Sequence, residues 1–385
     1  MNCFRLIAEL RSPLMRPASD KPGGPRGLPF LTGSTLRGAV AGQMLRQGVE
    51  PEAGDFRRLF LDAPPRFPDL LPATHRDESP RPYPLTAHSC KRSPGFKSGS
   101  GEESGHGVFD TLAAVGAGQW LRVASESAFS CPTCGADLKP RSGFWNGRTD
   151  APSAAEPVVV YERHTGIDRA TGTIAPSIFF TVEGLADFRK DPDGEYQPQF
   201  LSGEMFLSPD QEAVLREAIQ EPVFAGGDRT RGMGELQLAL EKTEFQPPDP
   251  VAWNREFRKK LEAVTGDSVP DGLLFSVDLT AHAILVDAFL RPMPDPKLDF
   301  PEIETVARVV RSRLVKGWQA SWQLPKPDDI ALAMGGVFLF CYTGTDEEGL
   351  IKYLSRLAKE GIGLRRPEGF GRVRVCDPLH LREAI

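Results

Sequence analysis

Long hydrophobic runs, an excess of basic charge and a rich supply of cysteine are all missing from this sequence of 385 residues. No apolar run approaches the roughly 18–20 residues that a membrane-spanning helix needs, and the first ten residues lack the basic and apolar regions of a signal peptide. The formal net charge of −6 excludes a globally basic nucleic-acid binder, although a local basic surface remains compatible with it. Six cysteines do not make a disulfide scaffold in a chain of this length. We therefore expect a cytoplasmic protein, in which a close cysteine pair binds metal or carries out redox chemistry.

Glycine and proline are abundant instead, with 38 and 35 residues respectively. Together they make up about 19% of the chain, above the usual value of about 12% and below the range of low-complexity disorder. Hydrophobic residues at 40% and charged residues at 25% are ordinary for a globular protein. The length predicts two or three domains with an unusually large share of turns and loops.

Two stretches, 61–107 and 131–157, show no hydrophobic periodicity and are rich in proline, glycine and serine. Structureless loops of this length are uncommon in compact domains. We interpret residues 61–157 as a large insertion, or a small metal-bound unit, within a first domain that covers residues 1–245. Prolines at positions 247, 248 and 250 mark the boundary to a second domain, 246–385.

Local patterns predict the main elements of both domains. Alternation from Phe4 to Leu10 predicts an N-terminal strand, and Ser34 or Thr35 is expected to cap a helix. That helix has an apolar face made of Leu36, Val40, Met44 and Leu45. In the second domain we predict strands at 273–279, 282–286 and 332–340, and helices at 302–315 and 347–359.

Two glycine-rich segments repeat one pattern. Residues 229–236 and 366–373 share Arg-x-x-Gly-[Met/Phe]-Gly-x-[Leu/Val], and each follows a predicted helix and precedes a predicted strand. Such a repeated supersecondary unit predicts an α+β fold with two ferredoxin-like, RRM-like βαββαβ modules.

Arginines beside these glycines favour a phosphate-binding function, because glycine allows close backbone approach and the guanidinium group matches phosphate. The chain between residues 308 and 326 adds five basic residues and no acidic ones, with Trp318 and Trp322 interleaved. Basic groups combined with aromatic platforms are typical of single-stranded RNA binding. The alternative is a pair of glycine-rich turns with solvated arginines. A Walker A motif is absent.

Cys131-Pro-Thr-Cys134-Gly135 has the spacing of a zinc knuckle and supplies half of a tetrahedral site. Cys90 is the expected third ligand, and the fourth is His106 or His88, with His75 a weaker option. We predict structural Zn²⁺ bound by Cys90, His106, Cys131 and Cys134, since zinc supplies folding energy that a loop-rich segment lacks. A redox-active pair and unliganded thiols are the alternatives, and no thioredoxin-like pattern surrounds the cysteines.

Three segments together resemble a known family: residues 29–38 (PFLTGSTLRG), 164–172 (HTGIDRATG) and 365–372 (RRPEGFGR). With the repeated glycine loops they resemble the RAMP superfamily of CRISPR-associated proteins, and in particular the Csx-ten group of subtype III-D effector complexes. The resemblance covers nearly the whole chain. It implies a subunit of an antiviral, crRNA-guided complex that caps the assembly and holds the 5′ repeat-derived tag of the crRNA. Its implied partners are the crRNA, other RAMP subunits, the large polymerase-like subunit and, indirectly, target RNA.

The resemblance also implies which residues meet RNA. Ser34 and Arg37 would face the RNA backbone from a helix start, and His164, Asp168 and Arg169 belong to a segment that lies near the guide in related proteins. The remaining residues of the expected RNA path come from the glycine loops and the basic stretch: Arg229, Arg231, Lys316, Trp318, Arg365, Arg366, Gly369, Phe370 and Arg372. For Ser34 the competing interpretation is a helix cap, and for Asp168 a turn.

We expect no catalytic residue. Metal-independent RNA cleavage needs a general acid or base such as His164, and some RAMP proteins cleave repeat RNA in this way. His164 and Asp168 would be catalytic only if the chain were a repeat-processing endoribonuclease, which is the alternative function. A third option is an assembly protein without RNA contact, which the acidic net charge would suit.

Overall fold

The computed structural model describes residues 1–15, 28–97, 105–124, 126–191, 193–267, 269–319 and 322–385. They form a mixed α and β structure whose described strand pairings are all antiparallel. The chain divides into two compact units. The first unit comprises Met1–Pro80 and Ala155–Phe245, and the second comprises Arg81–Ala154 and Gln246–Ile385. No helix among these residues is long and apolar enough to cross a membrane.

The strands and helices fall into three successive parts of the chain. The first part contains β1 (Asn2–Leu10), β2 (Leu14–Met15), α1 (Gly33–Arg46), α2 (Gly54–Phe60), β3 (Leu71–Ala73), β4 (Arg81–Pro82), β5 (Ala87–Cys90), β6 (Val108–Asp110) and α3 (Leu112–Gln119). The middle contains β7 (Leu138–Pro140), β8 (Phe144–Trp145), β9 (Val159–Ile167), β10 (Ile174–Leu185), β11 (Phe188–Lys190), β12 (Tyr196–Pro198), β13 (Phe200–Leu207), α4 (Pro209–Ala218), β14 (Val223–Phe224) and β15 (Glu235–Thr243). The last part contains α5 (Pro250–Thr265), β16 (Leu273–Leu279), β17 (Ile303–Val309), β18 (Ser312–Gln319), β19 (Leu324–Leu332), β20 (Val337–Tyr342), α6 (Glu347–Glu360) and β21 (Val373–Val375).

The first unit is built on a five-stranded sheet with the order β14-β15-β1-β13-β3. β1 lies at its centre, where Leu6 pairs with Leu240 on one side and Gly203 on the other. Helices α1 and α4 contribute Leu36, Val40 and Leu215, among others, to the same core as Leu6. The sheet is therefore covered by helices, as burial of its apolar residues requires.

Side-chain caps mark the starts of α4 and α1 in the first unit. Ser208 accepts a hydrogen bond from the backbone N–H of Gln211, and the Gln211 side chain accepts one from the backbone N–H of Ser208, which forms a capping box before α4. Helix α1 begins after Thr32, whose side chain accepts from the Thr35 backbone at 3.3 Å. The cap is thus Thr32 rather than Ser34 or Thr35.

The second unit is built on a four-stranded sheet with the order β17-β20-β16-β21. Its central strands β16 and β20 are buried along their whole length, because helices and loops leave neither strand a solvent-exposed side. Helix α5 packs Trp253, Phe257 and Leu261 into this core, after a start at Asp249 followed by Pro250.

The chain between residues 81 and 154 belongs to the second unit, whereas the sequence pattern predicts 61–157 as an insertion in the first domain. Helix α3 provides the physical reason. Its residues Leu112, Ala113 and Ala117 share a core with α5 and the four-stranded sheet. This core lies more than one hundred residues further along the chain, so no local pattern could reveal the association.

Several predicted elements agree with the structure and others do not. β1, β16 and α6 lie where the patterns predict them, but the helix predicted at 302–315 is wrong, because strands β17 and β18 occupy this range. The segment is rich in β-branched residues, which favour strands. Residues 282–286 form isolated bridges rather than a regular strand, and Leu45 is 48% exposed rather than part of the core face of α1.

Candidate nucleic-acid interface and metal centre

The glycine loop of the first unit forms one short 3₁₀ turn. Asp228 precedes it in the left-handed region (φ 54°, ψ 26°), residues Arg229–Arg231 form the turn, and Gly232 follows, again left-handed (φ 82°, ψ 14°). Arg229 and Arg231 are both exposed.

The glycine loop of the second unit has the same backbone conformation. Arg365 is left-handed (φ 54°, ψ 30°), Arg366–Glu368 form the turn, and Gly369 is left-handed (φ 98°, ψ −10°). The sequence repeat is therefore also a repeat of backbone geometry, with Arg229 and Arg366 at equivalent positions.

Each loop contains one further glycine that its backbone requires, Gly234 in the first loop and Gly371 in the second. A Cβ atom on Gly234 would overlap the carbonyl oxygen of Ala225, and one on Gly371 would overlap the carbonyl oxygen of Ile362. Both glycines also have positive φ, of 78° and 70°. Only glycine fits either position, because the backbones approach too closely for any side chain.

Each loop is hydrogen-bonded to the segment that follows the first strand of its sheet. Gly234 donates its backbone N–H to the carbonyl of Pro13 at 2.9 Å, and Gly371 donates to the carbonyl of His282 at 2.7 Å. The His282 ring accepts from the backbone N–H of Met334 at 2.9 Å. Burial, together with the charge of Arg313, lowers the pKa of His282 to about 4, so the ring is neutral.

An ion pair closes the turn in both loops, with its charges in opposite order. Asp228 pairs with Arg231 at 3.0 Å in the first loop. Arg365 pairs with Glu368 at 2.8 Å in the second. The acidic and basic members have exchanged places between two otherwise equivalent turns.

In the second loop the pair also reaches the β18–β19 hairpin. Arg365 pairs with Asp329 at 2.7 Å, and Lys326 pairs with Glu368 at 2.8 Å. The Arg365 guanidinium lies 4.8 Å from the centre of the Phe370 ring. Burial opposes the charge of Arg365, but Glu368 and Asp329 outweigh it and raise the pKa of the guanidinium.

Arg366, Arg372 and Gly369 are the other residues of the second loop that the sequence places on the RNA path. Arg366 is half-buried and its Nη1 donates to the carbonyl of Glu360 at 3.5 Å. Arg372 is also half-buried, and its carbonyl accepts from the Thr280 backbone at 2.9 Å. Gly369, which follows the turn in the chain, is buried.

The β18–β19 hairpin presents the basic and aromatic residues that the sequence singled out. Lys316 is exposed, and Trp318 and Trp322 are 61% and 74% exposed. Arg311 and Arg313 are exposed at the base of the same hairpin. Large exposed indole rings next to cations form a surface on which nucleobases can stack.

The start of α1 is less open to an anion than the sequence suggested. The backbone N–H of Gly33 donates to the carboxylate of Asp69 at 2.8 Å, so an acidic side chain lies at this helix end. Arg37 donates to the carbonyl of Phe60 at 2.7 Å and lies over the Phe60 ring. Ser34 is half-buried in the first turn.

His164 and Asp168 lie in the β9–β10 hairpin of the first unit. His164 Nε2 lies 3.6 Å from a Glu162 oxygen. Asp168 accepts from the backbone N–H of Ala170 at 2.7 Å, and its own N–H donates to Thr173 at 2.9 Å. Asp168 therefore organises the hairpin turn, and Arg169 is exposed within that turn.

Cys90, His106, Cys131 and Cys134 form a metal-binding group in the second unit. One ligand atom from each lies within 4.8 Å of the others. The Sγ atoms of Cys90 and Cys134 are 3.4 Å apart, as are Cys131 Sγ and His106 Nδ1. These are the four residues that the sequence analysis selected, and they lie close enough to hold one ion.

The backbone around these cysteines is arranged for thiolates. Hydrogen bonds from the backbone of Ser93 and Arg92 lower the pKa of Cys90. At Cys131, burial acts in the opposite direction, but backbone hydrogen bonds from Thr133 and Cys134 outweigh it and lower the pKa. At Cys134 the backbone hydrogen bond from Ala136 also lowers the pKa, but burial and the neighbouring Cys90 and Cys131 thiols outweigh it and raise the pKa. Metal ligation requires the deprotonated thiolate form of each cysteine.

The alternative histidine ligands lie elsewhere. His88 Nδ1 is 2.9 Å from the Thr86 carbonyl, and the His88 ring packs edge-on against Phe129. Neither His88 nor His75 belongs to the group of four found among the described residues.

Sequence reasoning missed a buried charge cluster around His380. Its Nδ1 lies 3.0 Å from Asp110, and its Nε2 lies 2.6 Å from Asp278. Burial disfavours the charged ring, but Asp278 and Asp110 outweigh it and raise the pKa of His380 well above its ordinary value. The imidazolium thus links the 81–154 segment, β16 and the C-terminal segment of the second unit, and nothing in the local sequence around His380 signals this.

Comparison with known proteins gives only distant structural similarity. No family model matches the chain, and no curated protein matches it. It is similar to a chain of the cryo-EM structure of Type III-B Cmr-beta bound to cognate target RNA, with 11% identity, a TM-score of 0.44, and coverage of 92% of this chain and 94% of that chain. It is also similar to a chain of the Csm3–Csm4 subcomplex in the type III-A CRISPR–Cas interference complex, with 10% identity, a TM-score of 0.34, and coverage of 90% and 96%. TM-scores below 0.5 decide neither family nor function.

Proposed function

We propose that this chain is a non-catalytic crRNA-binding subunit of a type III CRISPR effector complex, of subtype III-D, that holds the 5′ repeat-derived tag. The observation that carries the proposal is the repetition of one glycine-loop geometry in both units. Each copy presents an arginine at the same position, Arg229 in one and Arg366 in the other. Two equivalent cationic turns suit a repetitive polyanion better than two unrelated surface loops do.

The strand orders support two ferredoxin-like RAMP modules. In the first unit, β15-β1-β13-β3 places the fourth, first, third and second strands of one module side by side. The order β21-β16-β20-β17 does the same in the second unit. In the first unit, α1 and α2 lie between the first two strands of the module. In the second unit no helix lies between β16 and β17 among the described residues, and α3 and α5 pack against the corresponding core.

The RNA path that we propose does not use every predicted arginine. Arg229 and Arg366 would contact phosphates, Lys316 would add charge, and Trp318 would stack on a base. The Arg37 guanidinium donates a hydrogen bond to the carbonyl of Phe60, so its contribution to RNA binding would be indirect.

We propose structural Zn²⁺ at the four-residue group. Three sulfurs and one imidazole nitrogen are a common zinc ligand set, and sulfurs about 2.3 Å from a tetrahedral ion lie about 3.8 Å apart. The 3.4 Å between Cys90 and Cys134 is close to this value. The ion would provide folding energy to the loop-rich segment between residues 81 and 154.

The test combines binding and cleavage in one experiment. Purified chain is mixed, without added metal, with labelled RNA that carries a CRISPR repeat-derived 5′ tag, and separately with a scrambled RNA. We expect tag-preferring binding without cleavage, and a weaker salt dependence in Arg366→Ala. Specific cleavage that His164→Ala abolishes would contradict the proposal and favour the repeat-processing endoribonuclease.

Reconstitution tests the proposed place in the complex. We expect the chain to co-purify with crRNA, other RAMP subunits and the large polymerase-like subunit when the whole locus is expressed. Target cleavage by that complex should survive His164→Ala and Asp168→Ala. Its loss with RNA binding intact would assign catalysis to this subunit.

A further inference from the structure

The equivalence of the two glycine loops separates their arginines into two classes. Arg229 and Arg366 occupy the same position, and both loops have a cation there. The position of Arg365 is taken by Asp228 in the other loop. A position that accepts either sign of charge is not reserved for binding an anion.

The other end of the turn shows the same exchange. Arg231 in the first loop corresponds to Glu368 in the second, and each residue pairs with its i−3 neighbour. The two loops therefore share an ion pair between the first and last of these positions, and they differ in which of the two positions carries the positive charge.

In the second loop this pair extends into a four-residue network, which we call the clasp: Lys326, Asp329, Arg365 and Glu368. Arg365 contacts both acids and Glu368 contacts both bases, at 2.7 to 2.8 Å. The four side chains are 20–31% exposed, so solvent screens them only in part. Two of the four belong to β19, and the other two belong to the loop.

The backbone of Arg365 adds an independent argument. A non-glycine residue in the left-handed region is strained, and arginine lacks the short polar side chain that lets aspartate tolerate it. Asp228 occupies this conformation in the first loop, where its ion-pair partner among the described residues is Arg231. In the second loop an arginine is held there by two carboxylates and the Phe370 ring.

We infer that Arg365 and Glu368 are positioning residues, which fix the β18–β19 hairpin against the second glycine loop so that Lys316 and Trp318 face the same RNA as Arg366. This inference rests on the proposed function for its RNA readout. It reassigns Arg365 from the RNA path to the support of that path, and it gives Glu368, an acidic residue, a role in binding a polyanion.

For the RNA affinity of Glu368→Gln, the clasp and the net charge predict opposite changes. Neutralising an acidic group beside a polyanion should strengthen binding. The clasp predicts the reverse for Glu368→Gln, because the hairpin loses its anchor. Asp328→Asn is the matched control, since Asp328 is an exposed acid on β19, the strand that carries Lys326 and Asp329, and lies outside the clasp.

The first experiment measures the dissociation constant of the full chain for the tagged single-stranded RNA at fixed ionic strength. We expect Glu368→Gln to weaken binding about threefold or more, and Asp328→Asn to leave it unchanged or slightly tighter. Glu368→Gln binding as tightly as Asp328→Asn would overturn the inference.

A charge-neutral exchange separates turn closure from positioning. The double variant Arg365→Asp with Glu368→Arg reproduces the order of the first loop, which keeps the turn-closing pair but opposes like charges to Asp329 and Lys326. We expect it to weaken RNA binding as Glu368→Gln does. Adding Lys326→Glu and Asp329→Arg restores complementary pairs at the same net charge, and binding should recover.

Hydrogen exchange of the β18–β19 amides, measured without RNA, tests positioning independently of the proposed function. We expect faster exchange in Glu368→Gln and in the double variant, and protection near the wild-type level in the quadruple variant. Unchanged exchange in the double variant, or no recovery in a quadruple variant with a wild-type circular dichroism spectrum, would overturn the inference. If no RNA binds even to the wild type, the proposed function fails, and exchange alone still decides whether the clasp positions the hairpin.

Discussion

Replacing Gly234 with alanine tests whether backbone proximity dictates the glycine loop. The position combines a φ of 78° with a Cβ site that overlaps the carbonyl oxygen of Ala225. Gly232 is a matched control two residues away, because it has a φ of 82° and no atom within 4 Å of its Cβ site. The two substitutions therefore share the conformational strain and differ in the overlap.

The expected magnitudes follow from these two contributions. Left-handed strain costs a non-glycine residue roughly 1–2 kcal/mol, so Gly232→Ala should lower the free energy of unfolding by about that amount. Gly234→Ala adds the overlap, and overpacking typically costs about 1–3 kcal/mol more. The overlap is not easily relieved, because Ala225 donates its own N–H to the carbonyl of Gly234 at 2.9 Å and is held in place.

Hydrogen exchange of the β15 amides, together with urea unfolding followed by circular dichroism, measures both variants in the intact chain. Exchange reports the first unit even if the two units unfold separately. We expect clearly faster exchange in Gly234→Ala than in Gly232→Ala. Equal destabilisation by the two substitutions would refute the reasoning, since the left-handed strain that they share would then explain the whole effect and the overlap with Ala225 would contribute nothing.

The remaining predictions concern the metal, RNA and pH. Purified chain should carry close to one equivalent of Zn²⁺ by mass spectrometry, Cys131→Ser should lose it, and His88→Ala should retain it; less than a tenth of an equivalent in the undisturbed wild type would exclude the site. Arg229→Ala and Arg366→Ala should each weaken RNA binding and reduce the salt slope by about one, and an unchanged slope would remove these arginines from the RNA path. His380→Asn should lower the stability of the second unit by about 3–5 kcal/mol, because it leaves buried carboxylates without their cation. Since Asp278 and Asp110 overcome the burial of His380 and raise its pKa in the folded state, its stabilising contribution is complete below about pH 6.5 and decreases as pH rises through that raised pKa; a stability difference between wild type and variant that grows with pH would contradict this sign.

The metal group shows how far spacing alone can carry a prediction. The Cys131–Cys134 pair is a local pattern, and Cys90 and His106 were selected by elimination among few candidates. The structure brings these four together. The cysteine count was low enough that little choice remained, which is why a non-local site was predictable.

The arginines show the opposite case. Arg231, Arg365 and Arg366 are indistinguishable in the sequence, since each lies beside a glycine turn. Their partners differ because Asp329 and Glu360 come from elements whose proximity depends on the fold. The sequence could not separate a phosphate-binding arginine from one that positions a hairpin.

The sequence by itself determined the features that depend on local chemistry: the repeated glycine loops, the cysteine pair, the strands β1 and β16 and the helix α6. Each of these follows from periodicity, left-handed backbone geometry or ligand spacing over a few residues. Only the tertiary structure decided the assignment of residues 81–154 to the second unit, the strands at 303–319 and the buried His380 cluster. These features depend on burial against residues that are distant in the sequence, and that burial overrides local propensity because it contributes more free energy than propensity does.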